Sequence, residues 1–451
     1  MAGVNSTALL TDHYELTMVQ AALRSGAAHR RSVFELFARR LPGGRRYGVV
    51  AGTGRFLEAL ADFRFGEAEL ADLAAREVVD EPTLEWLADY RFSGDVHGYA
   101  EGEIYLPGSP IMVVESTFAE GVLLETLALS MLNHDSAVAS AAARMVQVAG
   151  DRPCIEMGSR RTAEGSAVAA ARAAYVAGFA STSNLEAGRR WGVPTAGTAA
   201  HSFTLLHDDE RAAFRAQVDS LGAGTALLVD TYDVEQGVRN AVEVAGTGLG
   251  AVRIDSGDLL GQAHAVRAQL DELGATGTRI VVTSDLDEYA IASLAAGPVD
   301  SYGVGTRVVT GSGHPTAGMV YKLVSREDDE GVMVDVAKAS RNKVSVGGRK
   351  EAVRRLDNGV ASAELVGIGE APESDGDDRP LLVPLVRGGE VVVPTGPEAV
   401  EAAREHHRRA RAELPRSAGR LSEGEPCIPT RFIDELPAPR QALGTEDTDD
   451  R

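Results

Sequence analysis

The chain lacks the features that define several protein classes. It has 2 cysteines in 451 residues, Cys154 and Cys427, far apart and outside any C-x-x-C pattern. That excludes a disulfide framework and a zinc ribbon. It has no basic excess: 45 Lys and Arg stand against 66 Asp and Glu, a formal net charge of −21, where a nucleic-acid surface requires the opposite balance. No run of about 18 apolar residues is uninterrupted; the most Ala-rich stretch, 137–150, is broken by Arg144 and Gln147. The opening MAGVNSTALLTDHY has no cationic stretch followed by an apolar run, so no secretory signal is expected. A Walker A loop, an H-E-x-x-H helix and an EF-hand loop are missing, and no repeat of 20–50 residues is present. These absences predict a reduced, cytoplasmic setting, small-molecule partners, and neither nucleic acid nor membrane. The 44% apolar content is ample for a large core. The length fits two or three domains, or one large barrel with additions.

What is present falls into three stretches. The first hundred residues mix strands and helices: 32–37 alternates like a strand, 55–62 and 67–79 read as helices, and 96–115 is strand-like apart from Pro107-Gly108. A long amphipathic helix is expected over 118–148, broken near Asn133-His134-Asp135. From Cys154 onward seven short apolar runs each end in polar residues and are separated by helical stretches: CIEMGSRR, AGFASTSN, VPTAGTAAHS, TALLVDTYD, AVRIDSGD, RIVVTSDLD and DSYGVGT. With an eighth strand at 113–116 or 319–324, this rhythm predicts a (β/α) barrel with its functional residues at the carboxyl ends of the strands. A doubly wound open sheet gives the same alternation, but no G-x-G-x-x-G follows an early strand. After Lys322 strand-like pieces return, then a charged helix at 398–413 and a polar, acidic tail. The expected division is an N-terminal α+β segment (1–112), a barrel (113–335), a C-terminal segment (336–438) and a disordered tail (439–451).

The strand ends carry anion and carboxylate devices. Gly303, Gly305 and Thr306, with Arg307 beside them, form a loop whose backbone N–H groups and hydroxyl suit a phosphate; a plain Gly-rich turn is the simpler reading. Arg160 and Arg161 close the first run, where a guanidinium grips a carboxylate or phosphate in a fork unless it serves a surface ion pair. Arg253 stands inside a strand that should be apolar, so it needs a partner such as Asp255 or a ligand. Asp230 with Asp233, Asp255 with Asp258, and Asp285 with Asp287 are acidic pairs at consecutive strand ends. They suit Mg²⁺ held together with substrate phosphates, or positive charge developing on a sugar ring; helix N-capping by Asp is the alternative. His201 ends the third run, and His13-Tyr14 sits at an ordinary helix start near the amino terminus.

Together the segments LTDHYELTM, GSRR, GFASTSN, GVPTAGTAAHSF, VDTYD, VRIDSGDL, VVTSDLDE, GVGT and VYKLV resemble the nicotinate phosphoribosyltransferases, which are type II phosphoribosyltransferases, in the same order and from residue 10 to about 350. The resemblance implies an irregular (β/α) barrel plus a second α+β domain built from both chain ends. It implies ATP-coupled joining of nicotinate to 5-phosphoribosyl-1-diphosphate, with Mg²⁺, or Mn²⁺ in its place. His201 would be a phosphohistidine. Tyr14 would cover the pyridine ring from the neighbouring subunit of a homodimer with shared sites. Thr198, Arg253 and Arg160 would contact nicotinate, and Gly303, Gly305 and Thr306 the ribose 5-phosphate. Asp255 and Asp230 are suitably charged for an oxocarbenium-like ribose. Cations for pyrophosphate come from Arg40 and Lys322, with Arg39, Lys343, Arg349 and Lys350 as further candidates. Nicotinamide phosphoribosyltransferases place an Asp where Ser183 stands here, so a carboxylate ligand is favoured. A barrel lyase using Lys322 as a Schiff-base amine is the rival from another class.

Overall fold

A computed structural model describes residues 6–338, 346–374 and 376–433. Two sheets organise it. A six-stranded parallel sheet has the spatial order Ser181–Thr182, Cys154–Glu156, Ser301–Val304, Arg279–Val282, Ala251–Ile254, Ala226–Leu228. A seven-stranded antiparallel sheet interleaves the two ends of the chain in the order Met333–Asp335, Met319–Glu327, Arg31–Ala38, Met112–Thr117, Asp95–Tyr99, Leu382–Arg387, Glu390–Val391. The fold is α/β: a curled, incomplete barrel beside an α+β domain made from both chain ends.

Both candidates for an eighth barrel strand are corrected. Met112–Thr117 and Met319–Glu327 flank Arg31–Ala38 in the antiparallel sheet. The third run, VPTAGTAAHS, forms no strand; only Thr195 bridges to Thr182, and the chain then runs irregularly to His201. The parallel sheet spans Cys154 to Val304, so both ends of segment 113–335 serve the other sheet. Residues 439–451 and Lys343 lie outside the described residues.

The long helix breaks earlier than expected. It divides into Phe118–Val122 and Glu125–Ala149, and the second piece runs unbroken through Asn133-His134-Asp135. Those polar residues are not breakers because each has a partner: Asp135 takes Arg55 at 2.9 Å and His134 at 2.8 Å, and Asn133 accepts from the Met319 N–H at 2.8 Å. Leu127, Ala128 and Leu132 sit in the core of the antiparallel domain, whereas Val138 to Ala149 sit in the barrel core. One helix thus belongs to both cores. Its Ala-rich second half lies against the equally Ala-rich helix Glu164–Val176, where small side chains let two backbones approach.

A buried ion network ties the two chain ends together. Arg354, fully buried, donates to Glu364 at 2.8 Å and to the Ile104 carbonyl at 2.9 Å. Glu364 also accepts from Tyr99 at 2.8 Å and from Ser109. Arg379 bridges Glu103 (2.6 Å) and Glu413 (2.7 Å), and His406 reaches Glu103 at 2.8 Å. Burial pushes the Glu103 carboxyl up, but hydrogen bonds from His406 and Arg379 and the Arg354 charge outweigh it and hold it well below the usual carboxylate range. Removing one partner strands a buried charge. Glu364→Gln is expected to lower stability by about 3–5 kcal/mol, read from the urea midpoint at constant m. Arg354→Met with Glu364→Leu should recover most of that loss.

Candidate active site

The inward face of the parallel sheet is unusually open. Barrel interiors are normally filled by Val, Ile and Leu. Here Ser181, Ser183, Ala226, Ala251 and Ser301 face inward with Ile155 and Val281, and they leave a bore of about 510 Å³ lined from both ends of the strands. A second cavity of about 200 Å³ lies at the carboxyl ends, walled by Arg160, Arg161, Asp255, Thr283, Ser284, Asp285, Gly303, Gly305 and Thr306. The two share Met157, Arg160 and Arg253. Alternation produces this arrangement: 155 and 157, 251 and 253, 279 and 281 face the bore, while Cys154, Glu156, Val252, Ile254, Ile280 and Val282 are buried on the other side of the sheet.

Asp230 organises the site. Its side chain is 1% exposed, and its two oxygens engage three groups. One faces His201 Nε2 at 3.0 Å; the other accepts from the Asp255 backbone N–H and the Ser256 hydroxyl, both at 2.9 Å. Arg253 reaches the irregular 195–201 segment, donating to the Thr198 hydroxyl and the Ala199 carbonyl at 2.9 Å each. Its Nε is buried with no partner among the described residues. Burial lowers its pKa, and Asp255 and Asp230 oppose that. Asp255 in turn accepts from Thr283. His201 lines neither cavity, but Asp230 links it to the backbone of Asp255, which does.

The acidic pairs divide their labour. Asp233 caps the helix Val234–Ala245 through the Gln236 N–H (2.8 Å), Asp258 caps Leu259–Glu272, and Asp287 caps Glu288–Leu294. The first member of each pair, Asp230, Asp255 or Asp285, is left to the site. Among the described residues no group of three or more His, Cys, Asp or Glu is arranged for a metal ion.

Gly303 is demanded by packing as well as by any ligand. A Cβ there would lie 2.5 Å from Thr283 Cγ2 and 2.7 Å from Met157 Sδ, whereas Gly305 has more room. Ser284, beside it, holds φ +127°, a conformation that ordinary side chains rarely adopt and that accumulates at functional sites.

The chain is similar to known proteins over most of its length. A family model described as the nicotinate phosphoribosyltransferase (NAPRTase) N-terminal domain matches residues 9–133. The chain is 59% identical over 435 residues to nicotinate phosphoribosyltransferase pncB1 of Mycobacterium tuberculosis (strain CDC 1551 / Oshkosh), covering 94% of this chain and 95% of that one. It is 38% identical over 364 residues to the Bacillus subtilis (strain 168) nicotinate phosphoribosyltransferase, covering 78% and 74%. The solved human nicotinic acid phosphoribosyltransferase superposes with a TM-score of 0.78 at 27% identity, covering 92% and 96%. The chain belongs to the nicotinate phosphoribosyltransferase family. It is therefore an enzyme, and its carboxyl-end cavities are where this family member's chemistry is to be sought.

Five expected site residues of this nicotinate phosphoribosyltransferase family member stand outside both cavities: Asp230 and His201, held just behind the carboxyl-end wall, and Tyr14, Lys322 and Arg40, which lie elsewhere. Tyr14 is 45% exposed on the helix His13–Ser25. Burial, with Glu125 and Glu15 nearby, pushes its hydroxyl up to about 12, so it stays neutral. Lys322 lies in the antiparallel sheet, 3.8 Å from Glu125, which removes the lyase reading that needed it inside the barrel. Arg40 is exposed just past the strand Arg31–Ala38. Two further cations are committed elsewhere: Lys350 is buried against Glu35 at 2.6 Å, and Arg349 pairs with Glu115 and Glu351. Met157, Thr283 and Ser284 escaped the sequence reading, as did Glu156. Glu156 is fully buried, accepts from Thr182 and the Gly158 N–H, and so fixes the loop that carries Arg160. Its signal was a lone acid in an apolar run, the same oddity that exposed Arg253.

The two roles within each acidic pair can be separated. Asp233→Ala should lower stability by about 1 kcal/mol and leave turnover unchanged. Asp255→Asn should lower turnover by about 10²-fold or more with little change in thermal midpoint.

Proposed function

We propose that this enzyme joins nicotinate to 5-phosphoribosyl-1-diphosphate, giving nicotinate mononucleotide and pyrophosphate, in NAD synthesis or salvage in the cytoplasm. The layout of the two cavities carries this reading. A bore with apolar walls takes the flat pyridine; the polar cavity takes a phosphorylated sugar; and Arg160 and Arg253 stand where the two meet. The nicotinate carboxylate would accept from Arg253 and Arg160, with Thr198 beside them and Ser183 adding no negative charge. The 5-phosphate would lie on Gly303, Gly305 and Thr306. The pyridine nitrogen then bonds to C1 as the C1–O bond to pyrophosphate breaks, and the electron pair leaves with pyrophosphate. Asp255 faces the polar cavity, where it would stabilise positive charge building on the ribose, and Asp230 would act from behind by holding the Asp255 backbone and His201. Among the described residues no three acids converge, so Mg²⁺ would enter on the substrate, with Asp255 and Asp285 as available oxygens, and would supply charge neutralisation for the pyrophosphate.

ATP coupling rests on His201. If Asp230 accepts the Nε2 proton, the Nδ1 lone pair is free to attack the γ-phosphorus of ATP, and the bond to ADP breaks. The test is product analysis with labelled nicotinate and phosphoribosyl diphosphate, with and without ATP. An acid-labile, base-stable label from γ-labelled ATP is expected on His201. His201→Asn should abolish the label and the ATPase while leaving slow nucleotide synthesis; a mutant that still hydrolyses ATP in step with product sinks the assignment.

A shared dimeric site accounts for the stranded residues. Tyr14, Leu9 and Leu10 are exposed near the amino terminus, and Leu185, Leu205, Leu206 and Tyr232 are exposed around the barrel mouth. Docking one surface on the other would carry Tyr14, Arg40 and Lys322 of one subunit toward the other's pyrophosphate and pyridine. Mixing Tyr14→Ala chains with His201→Ala chains should restore part of the activity once subunits exchange; no restoration in an exchanging mixture argues for sites built within one chain.

A further inference from the structure

A third cavity, about 430 Å³, shares no lining residue with the two in the barrel. It lies where the end of the helix Pro397–Ala412 and the segment after it meet Tyr47 and Gln147. Arg408, Arg411 and Arg416 line it together with Leu414, Pro415 and Ala418, and among the described residues no Asp or Glu does. In a chain with 21 more acidic than basic residues, three arginines around one acid-free hollow are conspicuous.

Their partners sharpen the point. Arg408 is paired with Glu405 at 2.7 Å, but the guanidinium groups of Arg411 and Arg416 have no hydrogen bond or ion pair among the described residues. The nearby Glu413, which could have served them, is spent on Arg379. At the floor is Tyr47, only 5% exposed, whose hydroxyl likewise has no partner among the described residues. Gln147 brings its amide nitrogen close to Gly419, where a side chain would stand 3.0 Å from it. The hydroxyl is not sealed off, because Tyr47 lines the cavity, so its proton is open to an acceptor bound there.

We propose that this cavity is a binding site for a phosphate or diphosphate group, with Leu414, Pro415 and Ala418 forming an apolar wall for the remainder of a nucleotide. Arg411 and Arg416 donate to the phosphoryl oxygens, and the Tyr47 hydroxyl donates from below. The site is independent of the barrel, so its occupancy does not depend on the reaction proposed there.

The test must report on this cavity and not on the barrel, which binds phosphates itself. The full-length enzyme is labelled with 3-fluorotyrosine, and the Tyr47 resonance is assigned by its absence in Tyr47→Phe. Inorganic pyrophosphate and AMP are titrated in separate arms, with sodium chloride at matched ionic strength as the control. A saturable shift of the Tyr47 resonance by pyrophosphate is expected, and tighter saturation by AMP would show that the apolar wall is used. Arg411→Met should raise the midpoint by about tenfold or more, and Arg411→Met with Arg416→Met should remove the shift, with KM for nicotinate unchanged in both. A Tyr47 resonance unmoved by pyrophosphate in the wild-type enzyme overturns the proposal, as does a shift that chloride reproduces. The wild-type titration decides this even if a variant folds poorly.

Discussion

The architecture depends on the burial of Arg354. A guanidinium with no solvent exposure is tolerable only where carboxylates and carbonyls surround it. Glu364 comes from the adjacent strand, but the Ile104 carbonyl lies 250 residues earlier, as do the groups that reach Arg354 through Glu364, Tyr99 and Ser109. Until residues 99–109 meet residues 354–413, this charge has no acceptable environment. The composite domain is therefore not an accident of two ends lying close together. The ionic network ties the paired strands Lys350–Asp357 and Val360–Ile368, which belong to a separate sheet, to residues 99–109 of the amino-terminal half.

Asp230 repeats the principle on a smaller scale. Its carboxylate is nearly inaccessible and is satisfied by donors from two other segments. Each donor it engages is thereby fixed: the His201 ring, the Asp255 backbone and the Ser256 hydroxyl. Second carboxylates in the same runs do different work, at helix N-termini, where an Asp oxygen meets orphan N–H groups. A strand that ends in two Asp residues thus delivers one to the site and one to the next helix.

Much of this was legible because it leaves local marks. Strand ends rich in polar residues, an Arg inside a strand and a Gly-rich βα turn can each be read without tertiary knowledge, and Arg160, Arg253, Asp255, Gly303, Gly305 and Thr306 duly surround the carboxyl-end cavities. The errors arose where local pattern is degenerate. An apolar run such as 113–116 looks the same whether its neighbours are parallel or antiparallel; only the long-range pairing to Arg31–Ala38 distinguishes them. Asn133-His134-Asp135 reads as a helix break because partners supplied by Arg55 and Met319 are invisible in the window. Lys350 looks like a ligand cation until Glu35, 315 residues earlier, is found beside it.

The missing barrel strand is the departure that matters most for function. Had 195–200 continued the ladder that Thr195 begins, its backbone groups would have been consumed by Thr182 and its neighbours. Instead the segment leaves the sheet and is gripped by side chains: Arg253 takes the Ala199 carbonyl and the Thr198 hydroxyl, and Asp230 holds His201. Gly197 has nothing within 4 Å of where a side chain would be, so packing does not fix this segment. Its position is set by two charged residues that face the cavities or the groups lining them. A regular eighth-fold barrel would have gained hydrogen bonds and a filled interior. This one gives up both, and in exchange the bore stays open and a histidine stands next to the site on a segment whose anchors belong to the site itself.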